Sequence, residues 1–393
     1  MKSEKLCIIA LCALALVLSG CNKDYRYGAG ENYSKVLILF SEGYNNLCDE
    51  LETNLDALCT GDLPQKDENK AIVVFSHIAA GKYNYNTPTN PVIYRIYKNK
   101  KGTAVRDTIK VFSENTVSAS SETFSNALTF IEGRFPSDHY GLVYSSHATG
   151  WIPAGYNSNT EGDIIVFSVG AQFETNNYEA HQIDFIDFVQ AIPIHLDYII
   201  FDACLMGSIE CVYQLRKKCD YFVASPTEIL TGGLVYSTMP QRLLNSGDPD
   251  LEGLCADYYA AYENRSATIA LVDCGHLTNL ALTCRKIYDK HSGGLEGINK
   301  GDVQSYNYSL GKWFYDLKDV CRAIGATEAE LQDLQEALDE AVLYKAATPY
   351  FLGLKIDPEK FCGLSTYLYD SNWPKLNEYY KTLDWNGISK YVE

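Results

Sequence analysis

With 393 residues, 46% of them hydrophobic and 21% charged, the chain has the apolar material for a packed core, which excludes disorder as its main state. Its 33 Lys and Arg stand against 50 Asp and Glu, a formal net charge of −17. That balance excludes a nucleic-acid binder that neutralises phosphates and a basic patch that docks on anionic lipid.

Lys2 and Lys5 precede an almost unbroken apolar run over 6–18, followed by Ser19, Gly20 and Cys21. The layout is that of a signal peptide, residues 1–20, too short to span a bilayer comfortably. The run Leu18-Ser19-Gly20-Cys21 resembles a bacterial lipobox. That implies cleavage before Cys21, lipidation of Cys21, and an exported protein anchored to the cell envelope, expected at the outer membrane. Each methylene buried by such an anchor adds about 0.8 kcal/mol, and the acyl chains would be the only contact with the membrane. Residues 21–34 are polar and aperiodic and read as a lipidated tether.

The runs over 36–40 and 71–77 are continuously apolar and of strand length, suited to a sheet covered on both faces. Between them Leu47, Leu51, Leu55 and Leu58 recur at helical spacing. Residues 92–97 and 108–112 alternate and read as an exposed hairpin. A helix over 122–135 leads into a strand over 140–146, and a short strand is expected over 164–169. Next come a helix over 183–192, a strand over 198–201, a helix that starts at Gly207, and a strand over 221–224. Helices near 235–244 and 251–262, a strand over 268–272 and a helix over 277–290 follow. This alternation predicts an α/β fold, a mostly parallel sheet sandwiched by helices.

From Gly311 the pattern turns helical, over 313–324 and 328–343, with Thr327 and Glu330 spaced as a capping box. A strand-like stretch over 364–369 and a helix near 376–380 close the chain. The expected organisation is a catalytic unit over 35–275 with a helical C-terminal extension, 276–393, packed on it.

Ten of the 13 Cys lie beyond Cys21, mostly among apolar residues and without the spacing of a disulfide framework. A chain this long needs no staples, so buried free thiols are expected, Cys204 excepted. No C-x2-C pair and no H-E-x-x-H occurs, so no metal site is expected. No cofactor is required. A calcium site would need converging oxygen ligands, which the acidic turns Asp67-Glu68 and Asp248-Pro249-Asp250 do not reveal.

Two strand runs end in reactive residues. The stretch 141–146 delivers His147, and 198–203 delivers Cys204. Ligands bind beyond the carboxyl ends of the strands in an open parallel sheet, so both side chains can share one cleft. A thiolate there is a nucleophile, and the N-terminus of a helix starting at Gly207 would lower its pKa. A histidine can support it and protonate a leaving amine. A lone Cys or His in such a place is more often structural; the shared strand-then-turn context marks the pair. His77 also ends a buried strand and could reach the same face.

The segment Ser146-His147-Ala148-Thr149-Gly150-Trp151 resembles the H-G-x-G-W segment of the clostripain family. Residues 202–210 are a close match to that family's D-A-C-L-M-x-x-x-E, and Ala224-Ser225-Pro226-Thr227-Glu228, Gly233 and Tyr236 resemble the stretch that follows. The similarity covers most of 36–273 and, more weakly, 363–367. It implies a caspase-like fold and a cysteine endopeptidase acting on proteins or peptides as a monomer. By the same resemblance His147 is the general acid and Cys204 the nucleophile of a thioester acyl-enzyme. The oxyanion would be held by backbone N–H groups at Cys204 and near Ala148, with Asp202, Thr227 and Glu228 in the substrate-binding region.

Three positions depart from the family pattern. Ala148 replaces a Gly. The run 229–234 lacks the carboxylate of the family's P-G-D-G-W, which argues against Arg or Lys before the cut. No Lys or Arg lies between Arg134 and Arg216, which argues against self-processing after a basic residue. The rival reading is a catalytically silent envelope lipoprotein that binds peptides or glycans. Its 30 Tyr, including Tyr83, Tyr85, Tyr306 and Tyr308, could supply stacking surfaces.

Overall fold

The computed structural model describes residues 32–156, 166–174, 180–307 and 313–392. The expected signal, Cys21 and the tether up to residue 31 lie outside the described residues. The first apolar runs become β1 (Lys35–Gly43) and β2 (Lys70–Ile78), followed by β3 (Val92–Lys98), β4 (Ala104–Val111) and β5 (Tyr140–Ser145). A small antiparallel pair, β6 (Val169–Phe173) and β7 (Ala180–Ile183), precedes β8 (Leu196–Asp202), β9 (Cys219–Ala224) and β10 (Thr268–Asp273).

The C-terminal region adds β11 (Tyr315–Asp316), β12 (Val342–Ala347), the tiny hairpin β13 (Tyr350–Phe351) and β14 (Leu354–Lys355), and β15 (Ser365–Thr366). Nine strands make the main sheet in the order β12-β10-β9-β8-β5-β1-β2-β3-β4. The five at its centre, β9-β8-β5-β1-β2, are mutually parallel, and antiparallel strands close both edges.

The helices are α1 (Cys48–Thr60), α2 (Ser121–Arg134), α3 (Phe185–Ala191), α4 (Ile209–Leu215), α5 (Met239–Leu243) and α6 (Leu251–Tyr262). The C-terminal set is α7 (Leu277–His291), α8 (Leu317–Ala323), α9 (Glu328–Ala341), α10 (Pro374–Tyr380) and α11 (Asp384–Ser389). Because successive strand residues face opposite sides, the central strands split their apolar residues between two layers. Leu37, Leu39, Ile72, Val143 and Ile200 pack with Leu55, Leu58, Met239, Leu254 and Tyr258 of α1, α5 and α6. On the other face Phe40 stacks on Phe75 at 4.1 Å and meets Phe124 of α2, which stacks on Phe188 of α3 at 4.6 Å.

Local signals set the helix starts. Ser120, Asp184, Ser208 and Asp250 cap α2, α3, α4 and α6, and Thr327 with Glu330 forms the expected capping box of α9. Other expectations are corrected. The hairpin expected over 92–112 is found as β3 and β4, but only its outer strand is open, since β3 pairs with β2 and is buried along most of its length. The strand expected over 164–169 falls partly outside the described residues, and β6 starts at Val169. The helix expected from Gly207 begins at Ile209, and the strand-like 364–369 shrinks to β15. The helical character after Gly311 is broken by β12, an edge strand of the main sheet.

The ten described Cys are free thiols, and of these only Cys59 and Cys204 are partly exposed. Among the described residues no helix is long and apolar enough to cross a membrane.

Candidate active site

The register of β5 on β8 sets Ser145 opposite Asp202. Past that rung both strands leave the sheet, and His147 and Cys204 each stand two residues on. The two departing loops touch. At Gly150, where φ is +58°, an added Cβ would lie 2.7 Å from the Leu205 carbonyl oxygen, so no larger residue fits the contact. Trp151 is fully buried and packs edge-on against Tyr367 and Tyr380, which ties the His loop to the C-terminal region.

The turn after Cys204 is strained. Leu205 sits at φ +61°, a left-handed conformation that costs a residue with a Cβ about 1–2 kcal/mol. Its N–H donates to Thr227 O at 2.9 Å, and the Gly207 N–H donates to Ser225 O at 2.8 Å. On the other side the Ser365 N–H donates to Gly207 O at 2.9 Å. Glu210 of α4 is fully buried, and its Oε1 accepts from Thr366 Oγ1 at 2.7 Å, Tyr367 N at 3.0 Å and Tyr380 OH at 2.7 Å. The Cys204 turn is thus clamped between the segment that follows β9 and the C-terminal region.

His147 and Cys204 both line one cavity of about 150 Å³. Leu47, Glu50, Leu51 and Asn54 of the α1 region, Asp202, and the 229–231 segment complete its wall. His147 Nε2 lies 2.6 Å from Asn46 Oδ1, and its ring lies beside Phe167 and Phe173 with centroids 5.0 and 6.0 Å away. Burial pushes the imidazole down to about 4, with the Glu50 carboxylate acting weakly in the other direction.

Cys204 Sγ accepts from the Ile229 N–H at 3.4 Å. Burial pushes this thiol up to about 12, the Ile229 contact opposes the shift, and Glu228 and Asp202 add to it. The helix effect expected from the sequence is corrected here. Helix α4 begins five residues after Cys204, and a helix field fades within its first turn. Burial thus favours the neutral thiol and the neutral imidazole at this cavity.

Asp202 Oδ2 accepts from Tyr236 OH at 2.6 Å and Ser145 Oγ at 3.1 Å. Burial raises its pKa, and the Tyr236, Ser145 and Leu234 N–H donors oppose that rise. Gly233 closes over this carboxyl at φ +63°, where a Cβ would lie 2.6 Å from Asp202 Oδ2.

The clostripain-family model matches residues 43–344. This chain belongs to the clostripain family. It is a cysteine-type peptidase of the caspase-like α/β fold. An inactive zymogen C11 protease from Parabacteroides distasonis is similar at 28% identity and TM-score 0.74, over 92% of this chain and 98% of its own. A secreted C11 cysteine protease from Bacteroides thetaiotaomicron, in complex with an irreversible peptide inhibitor, shares the fold at 23% identity and TM-score 0.75. That likeness covers 91% of this chain and 99% of the other. Comparison with curated proteins finds no match.

Within this clostripain-family chain, the structure brings to the cavity three of the six residues that the resemblance assigned to catalysis or substrate binding: His147, Cys204 and Asp202. The other three stand elsewhere. Ala148 is buried and bridges Val169 of β6. The Thr227 hydroxyl is fully buried in a network with Ser225 and Thr268, so its contribution to the site is the carbonyl under Leu205. Glu228 is half-buried outside the cavity wall and acts on Cys204 only through its charge. His77 is buried against Tyr44, 2.5 Å from Ser118 Oγ and 3.2 Å from Thr89 O, and does not reach the cavity.

Sequence reasoning missed Asn46 and Glu50. Asn46 lies in the turn before α1 and Glu50 in its first turn, where polar residues after an apolar strand read as ordinary turn punctuation. Glu50 bears on the missing loop carboxylate. The 229–234 run carries none, yet helix α1 places one in the cavity wall.

Proposed function

We propose that this peptidase is an exported endopeptidase whose nucleophile is Cys204 and whose proton carrier is His147. The observation that carries the reading is their equal placement beyond paired strands, at one cavity. The Cys204 proton passes to the imidazole as sulfur attacks the scissile carbonyl, and a carbon–sulfur bond forms. The C–N bond then breaks, the imidazolium protonates the departing amine, and water cleaves the thioester to release the acid and restore the thiol. Because both groups start neutral, proton transfer accompanies attack. Backbone N–H donors at the Cys204 turn would hold the oxyanion, each worth about 2.7–4 kcal/mol in such sites.

The cavity also favours a substrate class. Asp202 and Glu50 both line it, and Glu50 Oε2 is buried without a hydrogen-bond partner while Oε1 pairs with Lys82 at 2.9 Å. Two carboxyl groups in one wall support a positively charged side chain before the cut, against the expectation drawn from the loop sequence. Lipidation at Cys21 belongs to the same reading and is tested by loss of acyl labelling in Cys21→Ala cells.

A peptide-library digest read by mass spectrometry, run beside Cys204→Ser, tests the chemistry. Cleavage by the parent alone supports the dyad, and the residue before each cut reads the preference directly. Equal cleavage by both proteins overturns the assignment of Cys204. Absence of cleavage by either, with no labelling of Cys204 by a peptidyl electrophile before or after limited proteolysis, favours the silent lipoprotein.

A further inference from the structure

We propose that Asn46 is a positioning residue for His147, holding the imidazole with its proton on Nε2 so that Nδ1 carries the lone pair that serves Cys204. The inference rests on the dyad reading and adds to it a third, non-reacting group.

The turn that presents Asn46 is locked by its neighbour. Asn45 is fully buried, and its Nδ2 donates to Glu42 O at 3.0 Å and to Ala171 O at 2.7 Å. Its Oδ1 accepts from Leu47 N at 2.9 Å. One side chain thus ties the 45–47 turn to both β1 and β6. Strand β6 also grips the His147 backbone, since the Gly170 N–H donates to His147 O at 2.9 Å. Asn46 and His147 are therefore fixed to one frame, with 2.6 Å between Oδ1 and Nε2.

An amide oxygen only accepts, so the nitrogen facing it carries hydrogen, and the neutral ring then has its lone pair on Nδ1. During attack the thiol proton moves to Nδ1 while Nε2–H stays on Asn46. When the C–N bond breaks, the Nδ1 proton leaves with the amine and the starting tautomer returns. A neutral acceptor also fits the neutral resting ring, which a carboxylate at the same place would charge. The charged or titratable groups around His147 are Glu50 from α1 and, across the cavity, Asp202 and Cys204.

The test begins with a peptidyl electrophile on the parent and Cys204→Ser, which reads the dyad by itself. Nitrogen-15 NMR of labelled histidine, with His147→Gln for assignment, then reads the tautomer whether or not a peptide is cleaved. The Nε2–H form is expected in the parent and a mixture in Asn46→Ala. In that variant kcat should fall about 10²-fold with KM within about twofold. Asn46→Asp should keep the Nε2–H form and move the acid limb of kcat, or the ring titration itself, upward by about one pH unit or more.

Labelling of Cys204 combined with a parent ring protonated on Nδ1 overturns the proposal alone. So do variants whose tautomer and titration match the parent. Should Asn46→Ala fail to fold, the near-isosteric Asn46→Asp decides by the ring titration, and a titration equal to the parent's overturns the proposal. No labelling of Cys204 in the parent removes the dyad, and the proposal with it.

Discussion

Ser145 donates a 3.1 Å hydrogen bond to Asp202 across the β5–β8 pair, on the last rung that these two strands share. His147 and Cys204 follow this rung by two residues each, so their relative height is inherited from strand register. A one-residue slip would turn every side chain of a strand to the other face, and two buried faces forbid it. The cavity therefore takes its geometry from the most rigid part of the molecule. Its walls come from loops that the rung anchors.

Asp202 is held by donors only, and this predicts an ordering of variants. Tyr236→Phe removes the 2.6 Å bond and is expected to destabilise by about 1.5–3 kcal/mol, the range for hydrogen bonds to charged groups. Asp202→Asn should lose at least as much. Its amide nitrogen would have to face one of the donors from Ser145, Tyr236 or Leu234. Urea unfolding monitored by tryptophan fluorescence measures both. A Tyr236→Phe midpoint equal to the parent's would contradict the assigned role of the hydroxyl.

The resting thiol predicts an alkylation profile. With Cys204 pushed up to about 12 and His147 down to about 4, no thiolate–imidazolium pair exists at neutral pH. The rate of Cys204 alkylation by iodoacetamide should rise with pH, about tenfold per unit, with no plateau up to about pH 10. Subtracting the Cys204→Ser rate removes the signal of the partly exposed Cys59. A plateau near pH 6 would show a preformed ion pair and sink this description of the resting site.

Much of this architecture was legible because buried parallel strands write themselves as apolar runs. Those runs placed β1, β2, β5, β8 and β9 to within a few residues, and with them the positions of His147 and Cys204. What failed was local chemistry. Gly207-Ser208 looks like a helix entry, but Gly207 instead passes close to the backbone of Ser225 and Pro226, and the helix waits for the Ser208 cap. The helix expected over 328–343 ends at Ala341, and its last two positions, Val342 and Leu343, instead open the edge strand β12, because the amphipathic pattern runs on past the helix end. Asn46 and Glu50 carry no motif, and only the fold brings Asn46 to His147 and Glu50 to the cavity wall.

Glu42, on the strand beside the one that leads to His147, predicts a pH-dependent stability. It is fully buried at the end of β1, accepts from Ser118 Oγ at 2.8 Å, and is pushed up to about 8, chiefly by burial. The folded value lies above the ordinary 4.5, so between these values the folded protein keeps a proton that the unfolded chain has released. The contribution is complete below the unfolded value and is lost as pH rises through the folded one. Glu42→Gln cannot ionise. Between about pH 5.5 and 7.5 its stability relative to the parent should improve, by at most about 1.4 kcal/mol per pH unit. His77 and His147, both lowered, act in the opposite sense below about 6.5, and both proteins share them. A constant offset between the two unfolding curves would remove Glu42 as a titrating group.

Glu210 predicts how far the Cys204 turn depends on the C-terminal segment. Its Oε1 alone serves Thr366, Tyr367 and Tyr380, whereas Oε2 is buried without a partner. Glu210→Ala strands three buried donors and is expected to destabilise by about 3–5 kcal/mol. Glu210→Gln can keep its oxygen toward the same three donors and direct the amide nitrogen where Oε2 has none. It should lose about 1 kcal/mol and retain most of the peptidase activity. The two variants separate charge from hydrogen bonding, since both lack the carboxylate and only one lacks the acceptor. Equal losses in urea unfolding would mean that the carboxylate's charge, and not its acceptor oxygen, joins α4 to the chain's last hundred residues.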